Sequence, residues 1–172
     1  RAAFARGLAY IFAAQYPNGG WPQTWPLEGG YHDAVTFNDD ALSDIAGLLA
    51  QVVDGRGDYG FVPGDLRARA ATAYDRAIAL ILAAQVRVDG RPTAWGQQHD
   101  VLTLAPVGAR NFEPPAYSSS ESGNLLLLLM KIDQPSPQVV SAVHGGVTWL
   151  RATAIAGKAW VKGDGGRVLV DD

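Results

Sequence analysis

The sequence predicts an all-α fold, an α/α toroid of about three helical hairpins with long loops forming a site at one end. Three observations point there. Apolar residues recur at helical spacing in five segments. Two of these segments repeat each other. Ala9-Tyr-Ile-Phe-Ala-Ala-Gln15 aligns with Ala79-Leu-Ile-Leu-Ala-Ala-Gln85 at an offset of 70 residues, and Ala3, Phe4 and Arg6 face Ala73, Tyr74 and Arg76 upstream. Repetition at fixed spacing is a fold-level signal. Each copy then enters a long loop containing Gly, Pro and Trp before the next helix, and long ordered loops between helices usually carry function.

The first helix runs from the start to about Gln15. The second begins near Asn38 or Asp39, both good N-cap residues. It carries Leu42, Ile45, Ala46, Leu49, Val52 and Val53 at helical spacing until Asp54-Gly-Arg-Gly57 ends it. The third spans about Pro63 to Val88, with Leu66, Ala70, Ala73, Ala77, Ile78, Ile81 and Leu82 on one stripe. The fourth starts near Ser119 or Ser120 and continues through Leu125-Leu-Leu-Leu-Leu-Met130 to Ile132. A segment apolar all round is expected to be buried on several sides. Pro135-Ser-Pro137 sets up a fifth, from about Ser136 to Ala154. A third hairpin then requires a sixth helix, and only Gly157-Lys-Ala-Trp-Val-Lys162 and Gly163-Asp-Gly-Gly166 remain for it. The ring is therefore expected to be incomplete, or the chain a fragment. Residues 1–172 read as a single domain.

Composition narrows the partners. A formal net charge of -3 with 14 Lys and Arg leaves no basic footprint for nucleic acid, so a polyanionic ligand needs a local basic cleft. No cysteine is present, which excludes disulfides and thiolate metal sites. The Leu125–Met130 run is far too short to span a bilayer, so no membrane partner is expected. No signal peptide is visible, and the chain opens at Arg1 within a helical pattern.

The loop from Gln15 to Ala41 packs two Gly-Gly pairs, two Trp, two Tyr and adjacent carboxylates into one connection. Trp21, Trp25, Tyr31 and Trp95 can stack on sugar faces, or they can pin long loops to the core. In Asn38-Asp39-Asp40, an N-cap and a first-turn acid explain one aspartate. Two neighbouring carboxylates repel each other unless a cation or basic group compensates. Such oxygens suit Ca²⁺ or Mg²⁺, but one pair cannot complete a Ca²⁺ shell, so substrate carboxylates and water would have to contribute. Arg110 can form a structural salt bridge to Glu113 or grip an acidic substrate through its planar fork. A proton-abstracting role meets an obstacle, because the pKa of free Arg lies above about 12. His99-Asp100 with Ser119-Ser-Glu121 can be assembled on paper into a hydrolase triad, yet no nucleophile elbow exists. Gly19-Gly20 and Gly29-Gly30 are turns, with no phosphate-loop motif around them.

The segments Gln15-Tyr-Pro-Asn-Gly-Gly-Trp-Pro-Gln23, Gly29-Gly-Tyr31, Thr36-Phe-Asn-Asp-Asp-Ala41, Gln98-His-Asp100, Ala109-Arg110, Glu113-Pro-Pro115 and Ser120-Glu-Ser122 carry a further signal. In order and spacing they resemble pectate lyases of polysaccharide lyase family ten. That resemblance implies an α/α toroid enzyme, secreted or extracellular, that cuts de-esterified homogalacturonan by β-elimination with Ca²⁺. Carried onto this chain, it implies Arg110 as the base and Asp39 and Asp40 as the calcium-binding region, with either aspartate as ligand. The expected substrate-binding set is Trp21, Trp25, Tyr31, Asp100 and Glu113, and the expected partner is polygalacturonate. Two other readings stay open. One is a non-catalytic binder of acidic polysaccharide. The other is an inverting glycoside hydrolase pairing Asp39 or Asp40 with Asp100, Glu113 or Glu121. The oligomeric state is open.

Overall fold

The computed structural model describes residues 1–171; Asp172, the last residue of the expected domain, lies outside the described residues. Among the described residues five α-helices form: α1 (Ala2–Ala14), α2 (Ala41–Asp54), α3 (Gly64–Ala84), α4 (Ser119–Met130) and α5 (Pro137–Ala152). Their positions follow the apolar spacing. Leu42, Ala46, Leu49 and Val52 of α2 are buried, as are Ala70, Ala73, Ala77, Leu80, Ile81 and Ala84 of α3. α5 starts as expected, with the Ser136 hydroxyl accepting the Val139 N–H at 3.3 Å and proline in the first turn. In α4 the leucine run is buried on several sides, through Leu125, Leu126, Leu128 and Leu129, while Leu127 remains 58% exposed.

The internal repeat is physical. Gln15 leaves α1 and donates from Nε2 to the carbonyls of Gly19 and Ala73, both at 2.9 Å. Gln85 leaves α3 and donates in the same way to the carbonyls of Thr93 and Ala142, both at 3.0 Å. Thus α1 is tied to α3 as α3 is tied to α5, and α5 stands as a third copy. α1 runs beside α3 in the same direction. Phe4 meets Tyr59 and Phe61, Arg69 lies over Phe12, and Gln15 reaches Ala73. All three helices therefore send their connections toward one side of the molecule.

Those connections overturn the expected all-α toroid. About half of the chain is helical and about 15% is strand, in several small sheets. The strands are β1 (Val35–Thr36), β2 (Arg87–Val88), β3 (Arg91–Pro92), β4 (Trp95–Gly96), β5 (Gln98–His99), β6 (Pro106–Val107), β7 (Tyr117–Ser118), β8 (Lys158–Gly163) and β9 (Gly166–Asp171). The physical reason is the backbone itself. Loops lying side by side must pair their N–H and C=O groups, and short antiparallel ladders do this. Among the described residues no sixth α-helix follows α5. Residues 158–171 make an antiparallel hairpin of β8 and β9, in keeping with the β-branched residues Val161, Val168 and Val170 around the Asp164-Gly165 connection.

Candidate active site

A three-stranded antiparallel sheet in the order β1, β5, β6 organises the site. Val35 faces His99 and Thr36 faces Gln98; across the next pair Gln98 faces Val107 and His99 faces Pro106. Just past β1, the amides of Phe37 and Asn38 both donate to the Gln97 carbonyl, at 2.8 and 3.0 Å. The acidic stretch that follows β1 and the arginine that follows β6 therefore hang from the same ladder.

Neither Asn38 nor Asp39 caps α2 as expected; Asp40 takes the N-cap position. Asp39 and Asp40 both sit in the left-handed region, with φ of 53° and 59°, and α2 begins without a side-chain cap. Such backbone in non-glycine residues costs about 1–3 kcal/mol each and persists only where surrounding contacts impose it. Those contacts are visible. Asn124, midway along α4, donates from Nδ2 to Asp40 Oδ1 at 2.6 Å, and the Ser43 hydroxyl donates to the same oxygen at 3.3 Å. Asn38 Nδ2 donates to Asp39 Oδ2 at 3.1 Å. The Asp40 carboxylate is thus turned toward α4 and away from the amides of its own helix. From Asp40 a groove of about 740 Å³ leads between α2 and α4, past Gly47, Leu128 and Lys131.

The two aspartates offer hard oxygen donors of the kind Ca²⁺ takes. Among the described residues no group of three or more His, Cys, Asp or Glu converges on one point. The pair fits a cation only as a shared site, with the rest of a shell of about 6–8 oxygens coming from a ligand and water.

Arg110 stands on a tight turn. The Ala109 amide donates to the Glu113 carbonyl at 3.0 Å, and the Glu113 amide to the Arg110 carbonyl at 2.8 Å. Gly108 is required beside it, because a Cβ there would meet the Glu113 carbonyl at 2.9 Å. Arg110 Nε donates to Glu113 Oε2 at 2.9 Å, Nη2 donates to Oε1, and the Arg110 amide donates to Oε2 at 3.2 Å. The Phe112 ring, 73% exposed, lies 5.1 Å from the guanidinium. Hydrogen bonding to Glu113 and its charge raise the Arg110 pKa above the usual arginine value, and the Tyr31 and Asp39 charges act in the same direction. The same pairing pulls the Glu113 carboxyl below the usual glutamate value. In this arrangement Arg110 is a cation and Glu113 is its partner.

The remaining expectations divide. Trp21 is corrected: it is only 1% exposed, donates its indole N–H to the Ile11 carbonyl at 2.8 Å, and presents no face to a ligand. Trp95 is 0% exposed and donates likewise to the Ile81 carbonyl at 2.8 Å. Trp25 is half-buried against the core, its carbonyl accepting from the Tyr10 hydroxyl. Tyr31 is half-buried and stacked on His32, with centroids 3.9 Å apart, on the Arg110 side of the loop. Asp100 uses Oδ1 to accept from the Leu102 amide at 3.0 Å and from the Thr103 amide and hydroxyl at 2.7 and 3.0 Å, which lowers its pKa. It holds a turn, with that oxygen fully engaged.

No hydrolase triad is assembled around His99. The ring is buried, Nε2 accepts the Gly96 amide at 2.9 Å, and Nδ1 pairs with the Leu104 carbonyl at 2.7 Å. Burial lowers its pKa, so it stays neutral. Glu121 is buried and accepts from the Ser118 hydroxyl. Asn124 was missed at the level of sequence. Its one signal is an amide in mid-helix, directly before the leucine run.

The chain matches the pectic acid lyase family over residues 1–168. Among solved structures it is similar to a family 10 polysaccharide lyase from Cellvibrio cellulosa, with a TM-score of 0.90 and 29% identity over 96% of this chain and 53% of that one. It is also similar to a single-residue mutant of a family 10 polysaccharide lyase from the same organism in complex with trigalacturonic acid. There the TM-score is 0.93 and the identity 30%, over 99% of this chain and 54% of that one. The chain thus spans about half the length of the structures it matches. No curated protein matches it significantly.

Proposed function

The chain belongs to the pectic acid lyase family, and from that membership we propose that it cleaves pectate, α-1,4-linked polygalacturonate, by β-elimination, with Arg110 as the base. The observation that carries the reading is one of placement. An exposed guanidinium and two acids that cannot satisfy each other hang from one small sheet, and the acid Asp39 is near enough for its charge to act on Arg110.

The chemistry needs few parts. Arg110 takes the C5 proton of a galacturonate, the electron pair forms the C4–C5 double bond, and the glycosidic C4–O bond breaks to release the leaving chain. No water attacks, so no second base is required. Asp39 and Asp40 are the proposed holders of Ca²⁺, which when bound neutralises the substrate carboxylate and acidifies its neighbouring proton. Arg110 must leave Glu113 to act, since that pair is the strongest influence keeping it charged. Tyr31 is the aromatic of the first loop best placed to border the sugar. A secreted or extracellular setting belongs to the same proposal.

The test is ultraviolet absorbance of polygalacturonate incubated with the protein, with Ca²⁺ and with chelator. A Ca²⁺-dependent rise means unsaturated products. Arg110→Ala is expected to lower the rate by about 10²–10⁴-fold with the fold intact, the usual weight of a proton-transfer group. Retained turnover in that variant removes Arg110 as the base, and saturated products would replace elimination by hydrolysis. One observation favours a second reading: a cation held by Glu113 also suits binding without turnover. Retarded migration in polygalacturonate gels with no cleavage would select it.

A further inference from the structure

We propose that Asn124 is a positioning residue for the acidic pair. Its amide fixes the Asp40 carboxylate from α4 without neutralising it, and so sets the affinity of the pair for a divalent cation shared with an acidic sugar. The cation rests on the function proposed above for Asp39 and Asp40; the placement of Asn124 does not.

Asn124 is half-buried in mid-helix, directly before the leucine run. An asparagine there costs helix stability relative to leucine, because its amide competes for backbone groups. The ordinary reason for accepting that cost is to tie one helix to another. Here apolar packing already supplies the tie. Leu42, Ala46 and Leu49 of α2 and Leu125, Leu128 and Leu129 of α4 are buried in one core. The amide goes instead to a carboxylate. Nδ2 donates to Asp40 Oδ1 at 2.6 Å, a short bond of the charge-assisted kind.

Asp40 sits on left-handed backbone, which surrounding contacts must impose. Its other side-chain donor, Ser43, is local, three residues on, and its bond is longer at 3.3 Å. Asn124 lies 84 residues away and fastens the carboxylate to a separate helix.

The chemistry of the donors decides what the anchor is for. Asp40 is held by an amide and a hydroxyl, and Asp39 by the Asn38 amide at 3.1 Å. Among the described residues neither aspartate forms an ion pair. An anchor meant only to hold the loop is stronger when built from Arg or Lys, which also cancels the charge. Neutral donors orient the carboxylates and leave both charges in place. Adjacent carboxylates repel each other, a cost that a bound cation relieves. Partners that touch the ligating group and not the metal orient that group and tune its affinity.

The experiment is a calorimetric Ca²⁺ titration, with and without trigalacturonic acid, of the full chain, Asn124→Leu and Asn124→Ala. Circular dichroism checks the fold, and melting temperature is measured with Ca²⁺ and with chelator. Leucine is close to asparagine in size and extends the run, so Asn124→Leu should melt in chelator at or above the wild-type temperature. Asn124→Ala removes the same donor without adding apolar bulk. Both variants are expected to bind Ca²⁺ about 10–100-fold more weakly, the usual weight of such a partner. They should also lose most of the melting shift that Ca²⁺ gives the wild type. The Ca²⁺ needed for half-maximal cleavage should rise by the same factor, with the rate at saturating Ca²⁺ changing less. Wild-type Ca²⁺ affinity in both variants overturns the proposal, whatever their melting temperatures, and leaves Asn124 a structural tie. If the wild type binds Ca²⁺ and the variants bind it weakly, but polygalacturonate is not cleaved, the lyase reading fails and the positioning role stands. If the wild type cleaves and both variants bind Ca²⁺ as it does, the reverse holds. A wild-type chain that takes up no Ca²⁺ even with trigalacturonic acid overturns the positioning role as well.

Discussion

The connection after α1 and the connection after α3 start alike and end differently. Each begins with a glutamine whose amide clamps its own loop and the next helix of the same direction. Each then buries a tryptophan whose N–H reaches back to an isoleucine carbonyl, Ile11 in one copy and Ile81 in the other. Those isoleucines are 70 residues apart, the repeat offset itself. Beyond the tryptophans the likeness stops. The first connection ends in Asp39 and Asp40 on left-handed backbone; the second carries Arg110 clamped by Glu113. What two copies share builds the frame, and what differs is free to carry chemistry. The difference is one of charge sign, and both ends hang from one sheet.

The comparison breaks most visibly at the tryptophans. Trp21→Ala and Trp95→Ala should each destabilise the protein by about 3–5 kcal/mol, the range for emptying a large buried aromatic site. Each also leaves a carbonyl without its donor. Urea denaturation should show similar losses for both. If Trp21→Ala left stability untouched while weakening pectate binding, Trp21 would belong to the cleft after all, and the shared frame would be lost as a guide.

Glu113→Gln sharpens the other half of the comparison. Glu113 raises the Arg110 pKa through a hydrogen bond and its charge. Removing that charge lets the guanidinium lose its proton at lower pH. If the proposed cleavage by Arg110 holds, the alkaline rise in rate that such a base implies should move toward neutral pH, with a smaller change in KM. A profile that does not move would mean Arg110 already leaves Glu113 when substrate binds.

The frame was legible because it repeats in sequence: Ala9 to Gln15 and Ala79 to Gln85 differ only at two apolar positions. The tryptophan equivalence was hidden by loop length, since Trp21 lies 10 residues past its isoleucine and Trp95 lies 14 past its own. The small strands were not legible at all. Seven of the nine are two residues long, too short to show an alternating pattern, and their pairing depends on loops distant in sequence. The same distance hides Asn124, which meets Asp40 across 84 residues. The pairing of Arg110 with Glu113 was readable, because the two lie three residues apart. The terminal hairpin was readable and went unread: residues 157–166 were expected only to fall short of a sixth helix, although Asp164-Gly165 between β-branched runs is a turn signal.

The smallest expected effect concerns the seam between the two connections. His99 packs edge-on against Phe37 at 5.2 Å, joining the second loop to the first. Both of its ring nitrogens are engaged by backbone, and burial holds its pKa below 6.5. The unfolded chain therefore takes up this proton more readily than the folded one. The contribution of His99 to stability is fully present above 6.5 and falls away as pH drops from there through the folded value. Asp100 and Glu113, whose pKa values are lowered from 3.8 and 4.5, add their own losses only below that window. Urea midpoints measured between about pH 8 and pH 5 thus isolate the histidine. The midpoint should hold steady at the upper end and decline below 6.5, and His99→Gln should remove much of that slope while lowering stability throughout. A midpoint flat across the whole range would mean that the ring protonates without cost and that the seam opens more easily than its burial implies.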